Sequence, residues 1–168
     1  EHDSKWNTHV DVVIIPNPCL MPGQQAIIAR DYAAAFNASS TNNTLDDRSD
    51  DKGPEPEGLA LGRIDGHEFA FVGLERQGGV MVYDITDPTK PSFVDYVNPR
   101  DFAQDAKTAA AGDLAPEGLV FVKAEKSPTG KPLLIVGNET SGTTSIFEIT
   151  SKLPKTMTIS GETVALPT

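Results

Sequence analysis

Carboxylates dominate the chemistry this sequence can offer. Asp46, Asp47, Asp50, Asp51, Glu55 and Glu57 crowd into the stretch that runs through "RSDDKGPEPEG". Carboxylate oxygens are the ligands that hard cations prefer, so the stretch is a candidate calcium site. Its spacing is not that of an EF-hand, because no glycine stands at the sixth position of a loop and no glutamate at the twelfth. The competing reading is a solvated acidic linker leading into a β-sheet. Two prolines, Pro54 and Pro56, favour an ordered approach, since each fixes φ and lowers the entropy lost on folding.

Four glutamates form a second set. Glu57 and Glu117 stand at equivalent places in an internal repeat, and Glu75 and Glu139 do so one strand later. Lining a common axis, such residues would make a carboxylate ring for a divalent metal or a basic ligand. They could equally repeat because each bonds to turn amides. Arg76, beside Glu75, is placed to neutralise one of them.

Other catalytic chemistry is poorly supplied. Ser49 and Ser141 lack a nucleophile elbow. His2, His9 and His67 are scattered, and only His67 falls in the repeats, in a turn. Cys19 is the single cysteine, with no histidine near it in sequence, which argues against a thiol enzyme and forbids an internal disulfide. "RQGGV" is more simply a hairpin turn than a phosphate loop.

The repeat sets the architecture expected to carry these groups. "PEGLALG" (Pro56 to Gly62) recurs as "PEGLVFV" from Pro116, "FAFVGLE" from Phe69 as "LLIVGNE" from Leu133, and "GGVMVYDIT" from Gly78 as "GTTSIFEIT" from Gly142. Each unit reads as short alternating strands punctuated by Gly and Pro. "SFVDYVN" supplies a fourth strand to the first unit, and the second must find its fourth in "TMTISGETVALPT" or elsewhere. Four strands in about 45 residues is the size of a propeller blade. The expected fold is therefore all-β: part of a β-propeller, about two four-stranded antiparallel blades, behind an N-terminal strand and helix. A two-sheet sandwich built from the same repeats is the alternative. Propellers typically need about 4 to 8 blades, so the expected partners are the remaining blades or copies of the chain, besides other surface or matrix proteins.

Residues 1–52 form the N-terminal segment: a strand in "HVDVVIIPNP", a helix from Gln24 to Phe36, and a long polar loop without structure. The blade repeats occupy 53–168, about 53–100 and 113–168.

Charge and compartment signals agree. The formal net charge of −10 repels phosphate backbones and excludes nucleic acid as a natural partner. No apolar run approaches the roughly 18 residues of a membrane span. The sequons at Asn37, Asn42 and Asn138, together with a first residue that is not Met, are expected of a processed or partial chain outside the cell.

From "DDRSDDKGPEPEGLALGRIDGHEFAFVGLERQGGVMVYDITDPTKPSFVDYVN" to "GDLAPEGLVFVKAEKSPTGKPLLIVGNETSGTTSIFEI", the sequence resembles the choice-of-anchor I domain. That domain is shared by the mesenchyme-specific cell-surface glycoproteins of biomineralising animals and by many bacterial secreted proteins. The likeness runs from about Gln24 to Ile149. It implies the C-terminal portion of a β-propeller, a cell-surface or extracellular location (periplasmic or secreted in a bacterium), and a structural or interaction role tied to calcium and mineral deposition. Bacterial members often carry phosphatase-like labels. A metal-dependent phosphoester hydrolase with its site at the propeller axis is therefore the alternative function.

Overall fold

The computed structural model describes residues 22–151, 156–159 and 162–165. The expected strand at 9–16, with His2, His9 and Cys19, lies outside them. Helix α1 runs from Pro22 to Asp31. Its proline takes the first helical position, where the missing N–H leaves no bond unmade. The helix stops short of the expected Phe36, and a single 3-10 turn follows at Ala33–Ala35. Tyr32 breaks it with φ −134. Its ring packs edge-on against Tyr96, centroids 5.2 Å apart, and tilts against Phe102 at 5.9 Å. Aromatic packing thus overrides the helix propensity of the alanines.

The first repeat folds as expected. Strands β1 (Pro56–Ile64), β2 (His67–Leu74), β3 (Val80–Asp84) and β4 (Ser92–Val97) form an antiparallel meander in chain order. Asp65 and Gly66, both at positive φ, make the two-residue turn between β1 and β2, the turn whose twist matches a hairpin. The second repeat gives β5 (Pro116–Val122), β6 (Leu133–Asn138) and β7 (Thr143–Glu148) in one antiparallel sheet. The expected fourth strand is not in it. Instead β8 (Thr156–Ile159) and β9 (Glu162–Ala165) pair with each other as a separate hairpin.

The two repeats match in backbone detail. Each first strand is bulged at its Pro-Glu-Gly, between Pro56 and Gly58 and between Pro116 and Gly118. Each proline follows a residue at positive φ, Glu55 at 49° and Ala115 at 61°. The carbonyls of those two residues accept the N–H groups of Glu75 and Glu139, both at 2.8 Å.

The sheets pack face to face. The shared core holds Ala60, Phe69, Phe71 and Val80 from the first sheet and Leu134 and Val136 from the second, with Leu119 and Phe121 against it. Glycines on β1 and β2 make this approach possible. A Cβ on Gly62 would stand 2.6 Å from the Phe121 ring, and one on Gly58 would stand 2.5 Å from the Glu117 carbonyl and run into Leu119. Phe121 also stacks on Phe71, centroids 5.7 Å apart at 15°. On the opposite face of the first sheet α1 covers the part formed by β2–β4, through Ile27 and Ile28 against Leu74, Met81, Tyr83 and Tyr96, and leaves Leu59 and Leu61 of β1 exposed beside it. The described residues form a layered stack of helix, four-stranded sheet and three-stranded sheet, with no closed ring among them.

The polar loop expected to lack structure is ordered. Asn37, Ser39 and Ser40 are buried. The buried Arg100 guanidinium donates to the carbonyls of Ser39 (2.8 Å), Asn42 (2.9 Å) and Arg76 (3.2 Å) and to Asn43 Oδ1 (2.7 Å). It also lies over the Phe102 ring, 4.5 Å from its centroid. Burial lowers its pKa to about 10, so it remains a cation at neutral pH. Four oxygen acceptors offset the desolvation of that charge.

Candidate functional site

The loop, β1 and β2 bring three glutamates together. Ligand oxygens of Glu55, Glu57 and Glu75 lie within 4.8 Å of one another. Glu55 precedes β1, Glu57 is the second residue of β1, and Glu75 follows β2. The bulge at Pro56/Gly58 and the bond from Glu75 N–H to Glu55 carbonyl fix their approach. Glu55 and Glu75 are buried, while Glu57 is exposed.

Cations surround the cluster. Arg48 bonds Glu55, and its guanidinium also reaches Asp51 at 2.7 Å. Lys52 stands 3.5 Å from Glu55, and Arg76 pairs with Glu75 at 2.9 Å and lies 3.6 Å from Glu55. The Glu55 carboxylate is thus committed to these side chains. Glu75 behaves differently. Burial holds its carboxyl above the usual range, against the pull of Arg76, and the neighbouring Glu57 and Glu55 charges and a hydrogen bond with Glu57 push the same way. Neighbouring like charges disfavour the ionised form of a carboxyl, and a cation beside them relieves that repulsion.

The remaining candidates fall elsewhere. Asp46, Asp47, Asp50 and Asp51 are exposed and do not join the three glutamates. Asp46 accepts the Ser49 hydroxyl, Asp47 accepts Asn42 Nδ2 at 3.1 Å, and Asp51 faces Arg48. Glu117 and Glu139 hold the backbone positions expected from the repeat, but both are exposed and outside the cluster. Ala115 stands in the second repeat where Glu55 stands in the first, which removes the third carboxylate. His67 bonds Asp84 Oδ2 at 2.8 Å. Bonds from Thr86 first, and then His67, hold the Asp84 carboxyl below its usual range.

Two sequons are closed to a glycan in the folded chain. Asn37 is fully buried and its amide donates to Ser49 Oγ at 2.8 Å. Asn138 is 5% exposed and donates to Ser145 Oγ at 2.7 Å and Thr143 Oγ1 at 3.2 Å. Asn42 is half-buried beside the exposed Thr41 and Thr44.

A polar cluster escaped the sequence reading. Asp113 accepts Thr143 Oγ1 and Ser145 Oγ, both at 2.6 Å, and these hydroxyls meet the Asn138 amide. It ties the segment before β5 to β7. Alternating Thr143 and Ser145 on one strand face was the available signal. Arg48 and Lys52 were also missed as partners, although both interleave with the acidic run.

No helix among the described residues is long and apolar enough to cross a membrane. Residues 23–88 match the choice-of-anchor I domain. Over 134 residues the chain is 34% identical to Gigasin-3a of Magallana gigas, an alignment that covers 72% of this chain and 46% of that protein. The chain therefore spans less than half the length of this relative. No solved structure matches it. With the Pro-Glu-Gly entry, the first three strands of the blade-like sheet and the carboxylate cluster all inside the matched segment, the chain belongs to the choice-of-anchor I domain family.

Proposed function

We propose that this chain is part of a surface or secreted β-propeller protein, and that it serves as a structural and interaction module that binds calcium rather than as an enzyme. One observation carries the reading: an apolar row is open on the outer face of the second sheet, and another on β1 of the first sheet, beside the part that α1 covers. On the second sheet, Val120, Ile135 and Ile146 are register partners, with Val120 57% and Ile146 64% exposed. On the first, Leu59 and Leu61 are 60% and 56% exposed. Contiguous exposed apolar surface marks a place where another polypeptide sits. The rows lie where the neighbouring blades of a ring would pack. The family match and the likeness to Gigasin-3a support a surface or secreted protein.

Calcium has a place in this reading at Glu57 and Glu75. Both offer carboxylate oxygens, and a bound divalent cation would offset the repulsion between them. Glu55, held by Arg48, stands beside the pair. Binding is favoured over phosphoester hydrolysis because the cations beside the cluster already neutralise its third carboxylate, leaving a thin donor set for a metal-activated water.

Sedimentation velocity tests the interaction reading. The chain associates with itself, and Val120→Lys/Ile146→Lys reduces that association while near-native circular dichroism is kept. A chain that is monomeric at all concentrations, with or without the lysines, contradicts it.

A further inference from the structure

The second sheet is one strand short of the first, and the space beside it has a definite shape. A cavity of about 690 Å³ opens between the sheets, lined by Val80 and Val82 of β3, Val94 and Val97 of β4, and Leu134 and Phe147 of the second sheet. It lies between β4 and β7, where a fourth strand on β7 would face β4. Among the described residues β7 is an edge strand, with unpaired backbone groups along one side.

The sequence numbers the missing strand. The last two repeat matches are offset by 64 residues, and this offset carries the end of β3, Asp84, onto the end of β7, Glu148. It also carries the start of β4, Ser92, onto the start of β8, Thr156. The two connections, 85–91 and 149–155, are therefore equal in length. Their sequences agree as well: "YDITDPTKPS" in the first repeat stands over "FEITSKLPKT" in the second.

We infer that the groove between the sheets is the seat of Thr156–Ile159, which pairs with β7 as the fourth strand of the second sheet, so that the groove is not a small-molecule site. The inference rests on the blade reading above, though only on the equivalence of the two repeats and not on closure of a ring. The register follows from the first sheet, where Asp84 pairs with Ser92, Tyr83 with Phe93 and Val82 with Asp95 across a bulge. Moved by the offset, Glu148 pairs with Thr156, Phe147 with Met157 and Ile146 with Ile159. Pairing with β9, as in the hairpin, occupies the other edge of β8 and remains compatible with docking.

Cross-linking tests the register in the full chain on a Cys19→Ser background. Directly opposed strand residues have Cα atoms about 4.5–5.5 Å apart, inside the range of an unstrained disulfide. Glu148→Cys/Thr156→Cys forms an intramolecular disulfide under mild oxidation, and Glu148→Cys/Ala165→Cys does not. Failure of the first pair, formation of the second in its place, or a cross-link only between chains (a second copy in the groove) overturns the inference. Hydrogen exchange covers variants that fold poorly. In the otherwise natural chain, Met157→Pro withdraws β8 from pairing and speeds exchange of the outward β7 amides by roughly tenfold, while β1–β3 amides keep their rates. Unchanged β7 exchange overturns the inference. The cross-link reads β7–β8 pairing alone and sedimentation reads the outer faces alone, so the inference and the ring reading can fail separately.

Discussion

Replacing Gly62 with alanine tests the interlock of the two repeats. The new Cβ would stand 2.6, 2.6 and 2.7 Å from three carbons of the Phe121 ring. Carbon contacts are optimal near 3.5–4.0 Å, so the ring must retreat by about 1 Å. Phe71, stacked on the same ring at 5.7 Å between centroids, limits that retreat. Overpacking of this kind costs roughly 1–3 kcal/mol. Phe121→Ala alone removes a half-buried ring and costs about 2–4 kcal/mol, somewhat under the value for a fully buried phenylalanine. In the double variant the alanine at 62 meets open space, and its methyl is neutral or recovers up to ~0.8 kcal/mol. The cycle therefore shows a coupling of at least ~1 kcal/mol, with the double variant more stable than the sum of the singles. Urea unfolding of the four proteins, with the slope checked for constancy, measures it. Additive losses within about 0.5 kcal/mol would refute the claim that β5 packs directly on the glycines of β1.

Calcium at a hundredfold excess over its Kd stabilises the fold by about 2.7 kcal/mol, raising the midpoint by roughly 5–10 °C for a chain of this size. Glu57→Gln and Glu75→Gln abolish the shift relative to chelator at constant ionic strength, while Glu117→Gln keeps it; scanning fluorimetry decides. The raised pKa of Glu75 gives the pH dependence its sign. The folded state binds this proton more tightly than the unfolded state, so the Glu75 contribution to stability falls as pH rises from its ordinary 4.5 through its raised value. Subtracting the Glu75→Gln curve isolates this slope, and Glu57→Gln makes it shallower. On chain secreted from eukaryotic cells, intact mass finds a glycan at Asn42 and none at Asn37 or Asn138; a glycan at either buried site contradicts the burial described above.

Much of the fold was legible because the repeat carried it. Seven strands stand where turn residues and alternation put them, and Glu57 and Glu117 occupy equivalent bulges. The helix end was not legible, since Tyr32 leaves the helix for aromatic partners as far off as Phe102. The order of the 37–55 loop was hidden for the same reason. Its organiser, Arg100, lies 61 residues from Ser39 and reads in sequence as an ordinary surface cation. Of the acidic residues, only those tied to the strand entry converge. Carboxylate spacing in a loop does not say which side chains arginines will claim, and Arg48 claims Glu55 and Asp51.

The central claim is that the apolar rows on the two outer faces seat neighbouring sheets of one larger assembly. A structure of this chain within the longer surface or secreted protein tests it most directly. The account predicts separate sheets packed on the Val120–Ile135–Ile146 row and on the Leu59 and Leu61 row, with Glu57 and Glu117 facing one central channel. A structure in which both rows face solvent, and the two repeats close on each other as a complete sandwich, would contradict it.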